Sequence, residues 1–234
     1  MCQTWVKLIS VYGRKEGFSR EEFFIYQAGP HMRKAGQVPE FCGRIKDSYQ
    51  SGIIQPEEWP VLASISNLPR TDQKDSIVEI FFESAESAYA AFHEPNYLKI
   101  IRPDEEYFSD TRNGWSVLTR ETVLREGSKA AYQMILFFHW KKDVENAWET
   151  DRPRLLSQME DLGLKRATES VRIADMQMEN SRDYDLVLKL GFEQEEALLH
   201  AAETRLVHSY LWSLPYIAED MITYCTLERR NTPR

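Results

Sequence analysis

Cysteine is scarce in this chain: Cys2, Cys42 and Cys225 are the three in 234 residues. An odd, widely spaced set with no CxxC excludes a disulfide scaffold and points to reduced thiols in a cytoplasmic protein. No two Cys or His share ligand spacing, and there is no HExxH, so no zinc site is expected. No apolar run approaches a membrane span, and the N-terminus lacks the charged-then-apolar pattern of a signal peptide. GxGxxG, GxxxxGK[ST] and GxSxG are all missing, which removes dinucleotide, P-loop and α/β-hydrolase chemistry. Basic residues are outnumbered, 29 Lys+Arg against 37 Asp+Glu, for a net charge of −8. The excess divides evenly, −4 in residues 1–127 (15 against 19) and −4 in 128–234 (14 against 18). With no basic stripe, nucleic acid is not an expected partner. What is plentiful is hydrophobic residues, 42%, and aromatics, 12%, enough for a large core.

The pattern along the chain is a strand–helix order that occurs twice. Residues 4–12 are β-branched and aromatic and read as a strand. Ser19-Arg20-Glu21-Glu22 fits a capping box and opens a helix carrying Phe23, Phe24 and Tyr26, expected to end near Gly29-Pro30 or a little beyond. Strands follow at 40–50, 76–83 and 113–123, with a Ser84-capped helix Ala85 to His93 and a short helix at 103–108. The order β-α-β-β-α-β is a ferredoxin-like unit. Strand candidates at 131–139, 166–177, 186–192 and 219–228, with helices at 148–162 and 193–199, repeat it. A shift of 127 places Tyr12 opposite His139, and a shift of 109 places Ala88 opposite Ala197, implying about 18 residues lost from the second copy. One such sheet leaves a face bare, and two cover each other. The expected architecture is α+β: two ferredoxin-like units in tandem, residues 1–127 and 128–234, joined near 124–130, forming an intramolecular α/β barrel that needs no second chain, as a monomer or a homodimer.

The first unit resembles the EthD family of the dimeric α/β-barrel superfamily. The resemblance rests on Val6-Lys7-Leu8-Ile9, on a KxGxSxEEFxxY pattern running from Lys15 to Tyr26, on Pro30-His31, Pro39, Phe81, the Ser84–Phe92 segment, Pro95 and Tyr97, and on a DExxFxD stretch from Asp104 to Asp110. The second unit matches in element order only and looks like a degenerate copy. The resemblance implies cofactor-independent chemistry. Related bacterial proteins sit beside ether-degrading oxygenases. Related fungal proteins occur in polyketide pathways and are linked to dehydration, decarboxylation or ring closure. The superfamily also contains monooxygenases of electron-rich aromatics and haem-binding members, but the Gly-x-x-Asp-Gly signature of tandem haem peroxidases is absent here.

His31 is the first candidate for acid–base work, since an imidazole both takes and gives protons near neutral pH; the alternative is a helix-end His bonded to a carbonyl. Tyr26, one to two turns earlier, either hydrogen-bonds a substrate carbonyl or packs in the core. Lys7, Tyr12 and His139 are candidate substrate-binding residues. A Lys inside a barrel must meet an anionic ligand or an acid; otherwise it snorkels out. Asp104, Glu105 and Asp110 read either as general bases or as helix-start acids paired with Arg102 or Arg112. Met176 and Met178 read as strand residues filling core, and His93, His200 and His208 as helix-associated. The expected function is cofactor-independent dehydration, cyclisation, isomerisation or decarboxylation of an aromatic or polyketide-like small molecule. A non-catalytic carrier and a cofactor-free monooxygenase are the alternatives.

Overall fold

In the computed structural model, residues 5–60, 74–127, 130–141, 145–176, 178–203 and 218–229 are described; Cys2, Gln177 and His208 lie outside them. The element order is β1 (Trp5–Tyr12), α1 (Arg20–Tyr26), a π-helical turn (Gln27–His31), α2 (Met32–Ala35), α3 (Pro39–Cys42), β2 (Ile45–Ile53), β3 (Ser76–Phe82), α4 (Ala85–Phe92), a second π-helical turn (Tyr97–Ile101), α5 (Arg102–Phe108) and β4 (Trp115–Arg125). Then come β5 (Tyr132–Trp140), α6 (Glu145–Asp161), β6 (Leu164–Arg172), β7 (Leu186–Phe192), α7 (Glu195–Glu203) and β8 (Ala218–Arg229).

All eight strands pair antiparallel into one closed barrel, in the order β1-β3-β2-β8-β5-β7-β6-β4. Within it, β4-β1-β3-β2 and β8-β5-β7-β6 each keep the ferredoxin-like order. The two sheets do not merely face each other. Their edges join, β2 to β8 and β4 to β6, which leaves no unpaired sheet edge among the described strands. Period-2 alternation sorts the side chains. Ile9, Val11, Ile77, Val117, Ile135, Phe137 and Val187 fill the lumen. Val6, Leu8, Phe82 and Leu118 pack outward against the helices of the first half, and Met134, Leu136, Phe138, Leu188 and Leu190 against those of the second.

That alternation corrects the alignment of the two copies. Val6 pairs with Phe82 at one end of the β1–β3 ladder, and Tyr132 pairs with Phe192 at the same end of β5–β7. The shifts are therefore 126 and 110, with 16 residues lost. Ala88 matches Leu198 and Ala91 matches Ala201, all four fully buried. Tyr12 matches Phe138, not His139. An odd shift exchanges the inner and outer faces of a strand, which burial forbids.

Ser19 caps α1 as expected: its Oγ accepts from the Glu22 backbone N–H at 3.2 Å, and its own N–H donates to Glu22 Oε2 at 2.9 Å. The helix does not stop at Gly29-Pro30. It passes through the π-turn and runs on to Ala35. β6 ends at Arg172, so Met176 and Met178 sit in the following loop, where they pack on the first half's helical layer.

Candidate active site

His31 stands five positions after Tyr26. In an α-helix that spacing splays two side chains about 140° apart. The π-turn from Gln27 to His31 winds wider, and both residues reach one carboxylate. Tyr26 OH donates to Asp104 Oδ1 at 2.7 Å, and His31 Nδ1 lies 2.9 Å from Asp104 Oδ2. Lys34, one turn on, also donates to Asp104 Oδ1. Asp104 sits in the first turn of α5, directly after the second π-turn. π-turns recur at functional sites, and here one stands on each side of the same hydrogen-bond cluster.

Asp104 is 3% exposed. Burial pushes its carboxyl up, but the hydrogen bonds from Lys34, Tyr26 and His31 outweigh burial and hold it below the usual carboxylate range. An ionised Asp104 can only accept, so Nδ1 of His31 carries the proton. Burial pulls His31 below the usual histidine pKa, and Asp104 only partly restores it. The imidazole is then neutral at pH 7, with Nε2 as its free base.

His31 lines a cavity of about 320 Å³ between the outer face of β1 and β4 and the helices. Its walls include Leu8, Tyr12, Phe92, Tyr97, Glu105, Phe108 and Trp115. Polar and apolar surface share the lining about equally, with Ser10, Arg102, Ser109 and Asn180 beside the aromatic walls. Tyr12 OH is fixed by Gln27, and burial drives its pKa upward. Glu105 accepts from Tyr97 OH at 2.8 Å. Burial pushes Glu105 up to about 7, with Tyr97 and Arg102 pulling the other way. The second half closes one side: Met178, Glu179 and Asn180 line the cavity, tied down by Arg102–Glu179 at 2.9 Å and by Ser116 N–H donating to Asn180 O at 3.1 Å.

The five residues singled out in the sequence part company here. His31 and Tyr12 share the cavity. Tyr26 does not line it; its hydroxyl is spent on Asp104. Lys7 lies on the opposite, lumen face, 1% exposed, and meets acids: Glu79 at 2.8 Å, and Glu121. Burial works against its ammonium, but Glu121 and Glu79 outweigh that and hold its pKa above the ordinary lysine value. His139 is elsewhere again, 40% exposed, with Nδ1 2.8 Å from Asp183 O and 3.0 Å from Asp185 Oδ2. Among the described residues neither Asp104 nor Glu105 makes an ion pair within 4 Å with Arg102 or Arg112, although the Arg102 charge acts on Glu105; Asp104 orients His31, and Glu105 bonds Tyr97. Asp110 caps the turn at Asn113. The DExxFxD stretch is the sequence signal for both acids; the partners of Asp104, 70 to 78 positions away, leave none.

Among the described residues, no group of three or more His, Cys, Asp or Glu side chains is placed to hold a metal ion, and no helix is long and apolar enough to cross a membrane.

The fold is a tandem ferredoxin-like α/β barrel with a His–Asp pair facing a cavity. Residues 15–112 match the EthD domain family model, and the matched segment contains His31, Asp104 and Glu105. No curated protein matches the chain. Solved structures share the fold at low identity. An anthrone oxidase-like protein superposes with a TM-score of 0.64 at 6% identity, covering 97% of this chain and 92% of its own. A proposed monooxygenase from Fusobacterium nucleatum gives 0.60 at 6%, covering 98% and 94%. A chlorite dismutase variant from Candidatus Nitrospira defluvii gives 0.51 at 9%, covering 97% and 92%.

Proposed function

We propose that the chain is a cofactor-independent dehydratase acting on a flat aromatic or polyketide-type β-hydroxy carbonyl compound. One observation carries the reading: a neutral His31, oriented by Asp104, faces the same cavity as Glu105, whose pKa lies near neutrality. Two groups tuned so that one is a base and the other an acid at the same pH are the equipment of an elimination.

His31 Nε2 takes the proton α to the substrate carbonyl. The C–H electrons form the new C=C bond as the β C–O bond breaks. The leaving hydroxide takes the Glu105 proton and departs as water, and the proton on His31 returns to Glu105 through solvent. Tyr12 donates to the carbonyl oxygen and stabilises the enolate charge. Tyr26 and Lys34 position Asp104, and Lys7 and His139 take no part. Replacing His31 with Ala lowers kcat by about 10²–10⁴-fold while the fold survives. If His31→Ala melts well below wild type yet turns over normally, His31 is a structural cap and the reading fails.

Two structural neighbours, an anthrone oxidase-like protein and a proposed monooxygenase, favour one second reading, an oxygenase. The same base would deprotonate an electron-rich aromatic; the carbanion would pass one electron to O₂ and combine with the superoxide to form a peroxide, which, once protonated, would lose water to leave a carbonyl. Oxygen consumption during turnover separates the two readings.

A further inference from the structure

The buried charges of the lumen are not used by the chemistry above. Glu121, Lys7, Glu79 and Lys189 form an alternating chain: Lys7 bridges Glu121 and Glu79, and Glu79 also accepts from Lys189. Glu79 and Lys7 are 2% and 1% exposed. A buried ionic chain is a poor source of stability, because desolvation of the charges offsets their attraction. This one borders a cavity of about 220 Å³ at the polar end of the barrel, inside the sheet, whereas the His31 cavity lies outside it.

Three side chains on one wall of this lumen cavity have capacity to spare. Thr168 and Lys189 are cross-strand neighbours on the β6–β7 ladder, and Arg166 is two residues from Thr168 on the same face. Thr168 is 4% exposed and its Oγ1 has no hydrogen-bond partner, which costs stability unless something occupies the site. Arg166 stands at the mouth and makes no ion pair or side-chain hydrogen bond among the described residues. The four-member chain is neutral in itself, and the formal charge of Arg166 is matched by the Glu228 carboxylate on the same cavity lining, so the site as a whole suits a ligand that carries both an acceptor and a donor group. Glu121 and Glu228 also line the cavity, which favours a ligand that carries a hydrogen-bond donor beside its anionic group.

We propose that the polar end of the lumen is a second small-molecule site, taking a compact carboxylate with an adjacent hydroxyl or ammonium group. The carboxylate sits between the Arg166 guanidinium, the Lys189 ammonium and the Thr168 hydroxyl. This site is independent of the His31 chemistry.

The test titrates L-lactate and L-alanine, with acetate as the comparison, into the full chain, followed by melting temperature and saturation-transfer NMR. Lactate or alanine should bind and raise the melting temperature, and acetate, which lacks the donor, should bind more weakly. Arg166→Gln and Thr168→Val should each weaken binding about tenfold or more, the usual worth of a charge-assisted hydrogen bond. Neither variant should melt well below wild type in the absence of ligand, since neither loses a hydrogen bond or ion pair among the described residues. His31→Ala should bind as wild type does. Absence of binding by both lactate and alanine, binding unchanged in both lumen variants, or binding lost in His31→Ala would each overturn the proposal.

Discussion

His31 without Asp104 would be an ordinary half-buried imidazole with no fixed tautomer. The carboxylate supplies the tautomer and the aim, so its removal should cost more than one hydrogen bond. Asp104→Asn leaves an acceptor oxygen but removes the charge that holds the proton on Nδ1; kcat should fall about 10²-fold or more. The pH profile carries the sharper signature. A general base must be unprotonated, so kcat/KM rises with pH through the His31 pKa, which burial places below 6.5. A general acid must be protonated, so kcat/KM falls again through the Glu105 value of about 7. The expected profile is a narrow bell with a weakly acidic optimum. Asp104 raises the His31 pKa, so Asp104→Asn should move the acid limb to lower pH, and Glu105→Gln should abolish the alkaline limb. A flat profile across pH 5–8 in wild type would remove both residues from the chemistry.

Helix α1 and its π-turn show what one extra residue in a helical repeat can do. Deleting Ala28 restores the α-helical count and leaves His31 four positions after Tyr26, where an α-helix keeps the two on one face. The imidazole should then still reach Asp104, and turnover should survive with circular dichroism unchanged; turnover lost as far as in His31→Ala would show that the wider turn itself sets the aim of the imidazole. This is also where the sequence was least legible. The capping box at Ser19, the strand at Trp5–Tyr12 and the Ser84 cap are local patterns and are readable as such. A π-turn has no composition of its own, and Gly29-Pro30 imitates a helix end. Asp104 was visible as an acid at a helix start, but its partners are Tyr26, His31 and Lys34, 70 to 78 positions away. The two copies were legible as an order of elements. Their register was not, because a shift of 127 and one of 126 differ only in which face of the strand they bury. Lys7 followed the physical rule stated for it: inside a barrel it met acids.

Eight strands close one barrel, so each half takes the pairing partners of its edge strands from the other. A chain cut after Gly127 loses the partners of β2 and β4 and bares Ile9, Val11, Ile77 and Val117. We expect such a fragment to aggregate or to pair with a second copy, which light scattering after size exclusion will show; a stable monomer would mean that the first half is self-sufficient. Among the described residues β4 and β6 pair at six positions and β2 and β8 at four, with Ile54 N–H donating to Cys225 O at 2.8 Å beyond them. A closed ring has no end from which to fray, so local opening must part a seam, and backbone amides along Gln50–Ile53 and Thr119–Val123 should exchange only as fast as their seam opens. Tyr49, the neighbour of Gln50, is part of the lumen cavity wall, so wherever the β2–β8 seam parts, water meets the buried charges of the barrel.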